Sequence, residues 1–294
     1  MTTAHPSSVV APAPFARTPR ARAVRALGLA LVAATALAAC ASAKRSDDSG
    51  GAAAEPAGLR FGWNAGDSFD VTYLADRKGT RVELETRGSV SPVGKDALRV
   101  HFEAVTLAEK DKKLVEAGKS HAFLDQWPDL IIDKKTGALK SIDAALDPAA
   151  KDIVEHRWGV WVALVGDDLA LGHERSGHAE VEVGEGLLAP VKMQESHGAD
   201  AEDAHRYVLT RTFEGDPIRK LWAAMLADSG APKKEIDAVT VATREERLTV
   251  VTDPKTFRHT RVIEQSTFSV TSKAGKVERV DVHTDNDDWT LTWQ

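Results

Sequence analysis

Cysteine is almost missing: Cys40 is the only one in 294 residues. A lone thiol excludes an internal disulfide, an iron–sulfur cluster and a thiolate zinc finger, each of which needs at least two. Proline and glycine, 12 and 21 residues, are too sparse for a collagen-like or low-complexity chain. After residue 43 no charge-free apolar run approaches the roughly 20 residues that span a bilayer as a helix, which excludes a polytopic helical membrane protein. Beyond Cys40 there is no Gly-x-Ser-x-Gly elbow, Ser-x-x-Lys pair, Gly-x-Gly-x-x-Gly loop or phosphate-loop lysine, so no common catalytic motif supports an enzyme. Hydrophobic residues make up 43% and charged residues 28%, a composition that folds as a globular domain.

Acid is absent before Asp47, whereas Arg17, Arg20, Arg22 and Arg25 precede the apolar run Ala26 to Ala39. A positive segment ahead of a short apolar one has the layout of a secretory signal peptide. The run closes in Leu37-Ala38-Ala39-Cys40, which resembles the lipobox of bacterial lipoproteins. That resemblance implies cleavage after residue 39, a diacylglyceryl group on the Cys40 thiol, and attachment to a membrane of the cell envelope. Ala41 behind the cysteine implies the outer membrane, facing the periplasm. Two other outcomes stay open: cleavage after Ala41-Ser42-Ala43, which discards Cys40, and retention of residues 26–43 as an anchor. Without the four arginines, 34 of the 38 cations face 44 acids, a net charge of −10. Such a domain has no bulk charge for nucleic acid. Residues 41–58 are small and polar and read as a flexible tether with a reach of roughly 25 Å.

The body, 59–294, is dominated by two-residue alternation. Phe69, Val71 and Tyr73 share a face, as do Val82 and Leu84, Leu98, Val100 and Phe102, and Val181 and Val183. Further runs are Leu248 to Val251, Val262 to Val270, Val277 to Val282 and Trp289 to Trp293, the last expected to carry large apolar groups on both faces. Alternation with polar residues predicts an antiparallel sheet covered on one face. Turn signals separate the runs, among them Asp133-Lys134-Lys135-Thr136-Gly137 and Asp253-Pro254-Lys255. Around those two turns the segments 130–142 and 249–263 echo one another as strand, Asp-x-Lys-Thr, strand. Two helices are expected near 148–165 and 217–229. Asp147-Pro148 and Asp216-Pro217 supply their caps, Ile153, Val154, Trp158, Trp161, Val162 and Val165 one stripe, and Ile218, Leu221, Trp222, Met225 and Leu226 the other.

His173-Glu174-Arg175-Ser176-Gly177-His178 tests for metal chemistry. The histidines are five apart, so the one-face geometry of His-Glu-x-x-His fails. A looser set with His197 and His205 is outweighed by solvated histidines in a polar loop, and no metal or other cofactor is expected. Asp285 to Asp288 lacks the glycine and closing glutamate of a calcium loop and reads as a hairpin turn. Trp158, Trp161 and Trp222 either fill the core or line an apolar cavity between helices and sheet.

The fold class expected is α+β: one large, curved, mainly antiparallel sheet with two amphipathic helices packed on one face. Two consecutive β-rich domains are the alternative. The first layout is similar to LolA/LppX-like envelope proteins, open half-barrels around helices that hold acyl chains. The similarity implies a non-catalytic lipoprotein, partnered by the membrane through Cys40, that binds an apolar ligand or an envelope protein. Docking onto an envelope complex is the alternative, and a hydrolase the least supported reading.

Overall fold

The computed structural model describes residues 59–77, 80–103, 106–107, 128–143, 146, 148–183, 186–201, 204–274 and 277–294. Cys40, the lipobox, the tether and Asp147 lie outside the described residues. Within them the chain runs β1 (Ser68–Arg77), β2 (Thr80–Val93), β3 (Ala97–Phe102), β4 (Thr106–Leu107), β5 (Leu130–Asp133), β6 (Leu139–Ile142) and α1 (Pro148–Val162). It continues through β7 (Glu174–Glu182), β8 (Leu188–Ala199), β9 (His205–Phe213), α2 (Asp216–Asp228), α3 (Lys233–Asp237), β10 (Val239–Thr252), β11 (His259–Ala274) and β12 (Val277–Trp293).

These strands form one antiparallel sheet, ordered β6-β5-β3-β2-β1-β12-β11-β10-β9-β8-β7, with β4 beside β2. Two consecutive meanders are joined where β12 lies along β1, from Phe69 opposite Trp293 to Arg77 opposite Asp285. The hydrogen bonding therefore runs unbroken through the sheet from β6 to β7. The two ends, β6 and β7, do not pair with each other, so the sheet is open, and α1 carries the chain from one end strand to the other.

One face of the sheet carries both helices. On β10 the buried positions Ala242, Arg244 and Val250 share parity, as do Val262, Phe268 and Val270 on β11. A two-residue period places each set on one side. Trp158 and Trp161 of α1 join Val250 and Val262 in a first core, with the inward residues of β1, β2, β3 and β5. Ile218 and Trp222 of α2 join Ala242, Phe268 and Val270 in a second. Large aromatics dominate the first: Trp63, Trp161, Trp289 and Phe69 are fully buried.

Several expectations are corrected. The segment His173–His178 is not a loop: Glu174 to His178 open β7, opposite Ser196 to Lys192 of β8. Asp285 to Asp288 is not a turn but mid-β12, held between Arg77–Leu74 of β1 and Ser266–Ile263 of β11. Asp288 there takes a two-pronged hydrogen bond from Arg261. Trp289, Leu291 and Trp293 all point inward, as a two-residue step demands, so over 289–293 the outer face of the strand carries only Thr290 and Thr292. The α2 N-cap is Gly215 at φ 93°, which puts Asp216 inside the first turn. Its carboxylate binds Arg219 and Lys220 instead of capping the backbone.

The buried face of α1 is also rotated from the expected stripe. Arg157 and Val160 are buried with Trp158 and Trp161, as is Leu164 in the turn that follows, while Ile153, Val154 and Val162, and Val165 past the helix end, are half-buried. A helix that crosses beneath a sheet meets protein around much of its circumference, which blurs a one-sided apolar pattern.

Candidate functional site

A cleft of about 710 Å³ opens between the end strand β6 and α1. Strand β6 has only four residues, and on the α1 side Gly159 lines the space without a side chain. The wall is apolar at Leu139, Ile142, Trp158 and Val162, and the rim carries Lys140 and Lys151. Lys140 is tied to Asp133 at 3.0 Å and Lys151 to Glu155 at 3.5 Å. The volume lies within the range of small-molecule sites, and an apolar wall below a charged rim suits an amphipathic ligand.

The base of the cleft is fastened by hydrogen bonds and ring contacts. Trp158 donates from Nε1 to the Gly137 carbonyl at 2.7 Å, and its ring packs against Trp63 at 5.7 Å and Trp161 at 6.0 Å. Gly137 closes the turn between β5 and β6 at φ 69°, with its amide bonded back to Asp133. Asp133 fixes that turn by accepting from the amides of Lys135 and Thr136; with Lys140 as its foremost partner, its carboxyl is held well below the usual carboxylate range. The turn between β10 and β11 repeats this construction: Phe257 takes the glycine's place at φ 54°, its amide bonds to Asp253, and Trp63 donates to its carbonyl at 3.0 Å. The echo of segments 130–142 and 249–263 is thus a repeated device, two aspartate-braced turns each fastened by a tryptophan indole.

The three tryptophans singled out from the sequence do not share one cavity. Trp158 walls the cleft, Trp161 sits behind it in a filled cluster with Phe69 and Phe102, and Trp222 packs on Phe268 at 5.1 Å in the second core. Among the histidines, His197 and His205 meet at 2.8 Å, and His197 stacks on Tyr207 while bonding to the Leu169 carbonyl. The side chains of His173 and His178 are exposed. Among the described residues no three His, Cys, Asp or Glu side chains converge as a metal site.

Sequence reasoning missed the charged band that separates the two cores on the inner face. Arg157, Arg211 and Arg244 are buried there. Arg244 binds Glu246 at 2.6 Å, and Arg211 approaches Glu246 at 3.7 Å. His156 binds Glu264 at 3.1 Å, while Arg157 donates to the Tyr73 hydroxyl, which donates to Asp287 at 2.6 Å. Burial of this kind requires that each charge be paired. The space beside His156, Arg211, Glu246 and Glu264 is only about 30 Å³, room for a water and nothing larger.

Two histidines give stability opposite pH dependences. Burial drives the His259 imidazole down to about 4, against a weaker opposing effect of its bond from Nε2 to the Trp161 carbonyl. Its unfolded value is higher, so its stabilising effect is complete above about pH 6.5 and falls away as pH drops toward 4, by about 3 kcal/mol in total. Burial also opposes charge on His156, but Glu264 and Glu246 outweigh it and raise the pKa. That contribution is complete below the unfolded value and is lost as pH rises through the raised one. Urea titrations from pH 7 to 4 should therefore show His259→Gln losing less stability on acidification than the native chain. Parallel acid limbs would refute the assignment to His259.

No protein-family model matches the chain, and no curated protein matches it. Among the described residues no helix is long and apolar enough to cross a membrane.

Proposed function

We propose that the chain is a non-catalytic cell-envelope lipoprotein, anchored through Cys40 at the periplasmic face of the outer membrane, that binds an apolar or amphipathic ligand in the cleft between β6 and α1. The carrying observation is that cleft: about 710 Å³, walled by Trp158 and three aliphatic side chains and open at a lysine rim. A sheet curved into an open half-barrel around its helices, as in the LolA/LppX-like proteins, is the finer architecture that goes with this reading. An unclosed strand order with a helix carrying the chain from end to end is compatible with it.

Protein purified without detergent should release about one lipid per chain on organic extraction, read by mass spectrometry. Ile142→Glu, at a half-buried position of the cleft wall, should lower that yield several-fold with little change in melting temperature. Trp222→Ala, in the other core, should leave the yield per folded chain unchanged. Native protein that carries no lipid, or that loses it equally in both variants, would overturn the assignment. Intact mass of membrane-derived protein tests the anchor separately: it should begin at an acylated Cys40, and an unmodified chain beginning at Lys44 would refute it.

A further inference from the structure

Strand β12 is longer than its neighbour on the β1 side. Its hydrogen-bonded partnership with β1 ends at Asp285 opposite Arg77, whereas its partnership with β11 continues to Val277. Over Val277–Thr284, among the described residues, the other edge of β12 meets no strand. The same segment is the most exposed apolar stretch of the sheet, with Val277 69%, Val280 61% and Val282 61% exposed. An unpaired strand edge is a template for another strand.

We propose that this edge pairs with the same edge of a second copy, joining two sheets into one across a two-fold axis. Such an axis stands perpendicular to the sheet and keeps inner face beside inner face, so paired positions must share parity. That leaves few registers. Centring on Arg279 or on Asp281 sets like charges directly opposite, which is destabilising. Centring on Val282 brings the partner strand against the tip of the β1–β2 hairpin at Asp285 and shortens the overlap. Centring on Val280 avoids both costs and pairs Val277–His283 with its copy along the full stretch. Arg279 then faces Asp281 of the other copy, twice, and Val280 meets its own counterpart. Within one chain Arg279 and Asp281 already lie 2.6 Å apart on the inner face, so two such pairs would form a four-charge cluster of alternating sign.

The test uses the full chain with Cys40→Ser, so that an introduced thiol is the only one. Under mild oxidation Val280→Cys should give a disulfide-linked dimer at least tenfold faster than Val282→Cys. In the proposed register position 282 lies about 13 Å from its copy along the strand, four residues at about 3.3 Å each, too far to bridge. Sedimentation should show a dimer for the native sequence, weakened at least tenfold by Arg279→Asp and restored when Asp281→Arg is added. A native chain that sediments as a monomer at every concentration, equal cross-linking at 280 and 282, or no rescue by the charge swap would overturn the proposal. None of these readouts depends on the lipid cleft or on the anchor.

Discussion

Arg244→Ala should cost about 3–5 kcal/mol of folding stability, the usual penalty for removing one partner of a buried ion pair. For a body of this size that corresponds to a fall of roughly 10 °C in melting temperature. The guanidinium lies 2.6 Å from Glu246 and over the Phe268 ring at 5.3 Å. Its loss therefore leaves the Glu246 carboxylate only the longer 3.7 Å approach of Arg211 and opens space between aromatics of the second core. Urea unfolding measures the loss directly. Arg87→Ala, which breaks the half-exposed pair with Asp70 at 2.8 Å, should show no resolvable change, because water and salt screen that pair. Equal effects at the two positions would mean that the charged band is not held dry as its burial indicates.

Gly137→Ala should cost about 3 kcal/mol, from two sources. A residue with a Cβ loses about 1–2 kcal/mol at a left-handed φ, and Gly137 sits at 69°. The added Cβ would also lie 2.5 Å from the Phe61 ring, and overpacking of this kind costs about 1–3 kcal/mol. Gly94 separates the two terms. Its φ is nearly the same, 66°, but nothing lies within 4 Å of the position a Cβ would take, so Gly94→Ala should cost only the backbone share, about 1 kcal/mol. If both glycines respond alike, the contact between Phe61 and the turn is looser than the geometry requires. Because Trp158 hangs from the Gly137 carbonyl, Gly137→Ala should also disturb the cleft wall.

Most strands were legible where polar and apolar residues alternate cleanly, since burial on one face imposes that rhythm directly. Phe69, Val71 and Tyr73, or Leu98, Val100 and Phe102, are all buried as the alternation predicts. Only the end of β7, at Val181, reads as strand, because it is an edge strand whose first eight residues, Glu174 to Val181, bury only the last; β8 and β9 were missed altogether. With little burial to impose a rhythm, the polar sequence of β7 looks like a loop. The charged band was hidden differently. Ala242, Arg244, Glu246, Leu248 and Val250 keep perfect parity on β10, but two charges in that row read as solvent-facing when taken singly. Their inward register was the available signal. The cleft depends on β6 and α1 meeting around a turn braced by Asp133, and spacing along a chain does not reveal a distance of that kind. Trp158 was legible as an aromatic residue between helix and sheet, and the β6 residues that line the cleft with it were not.

The seam between β12 and β1 has a consequence for the order of events in folding. The middle of this molecule is made from two segments far apart in the body, Ser68–Arg77 and Asp285–Trp293, so neither half can be sealed against the other until Asp285–Trp293 has been synthesised. Every earlier nascent chain presents β1 with one flank bare. Contacts spanning more than two hundred residues close last and slowly, and until then the polypeptide stays loose enough to be threaded, held by a chaperone, or cut.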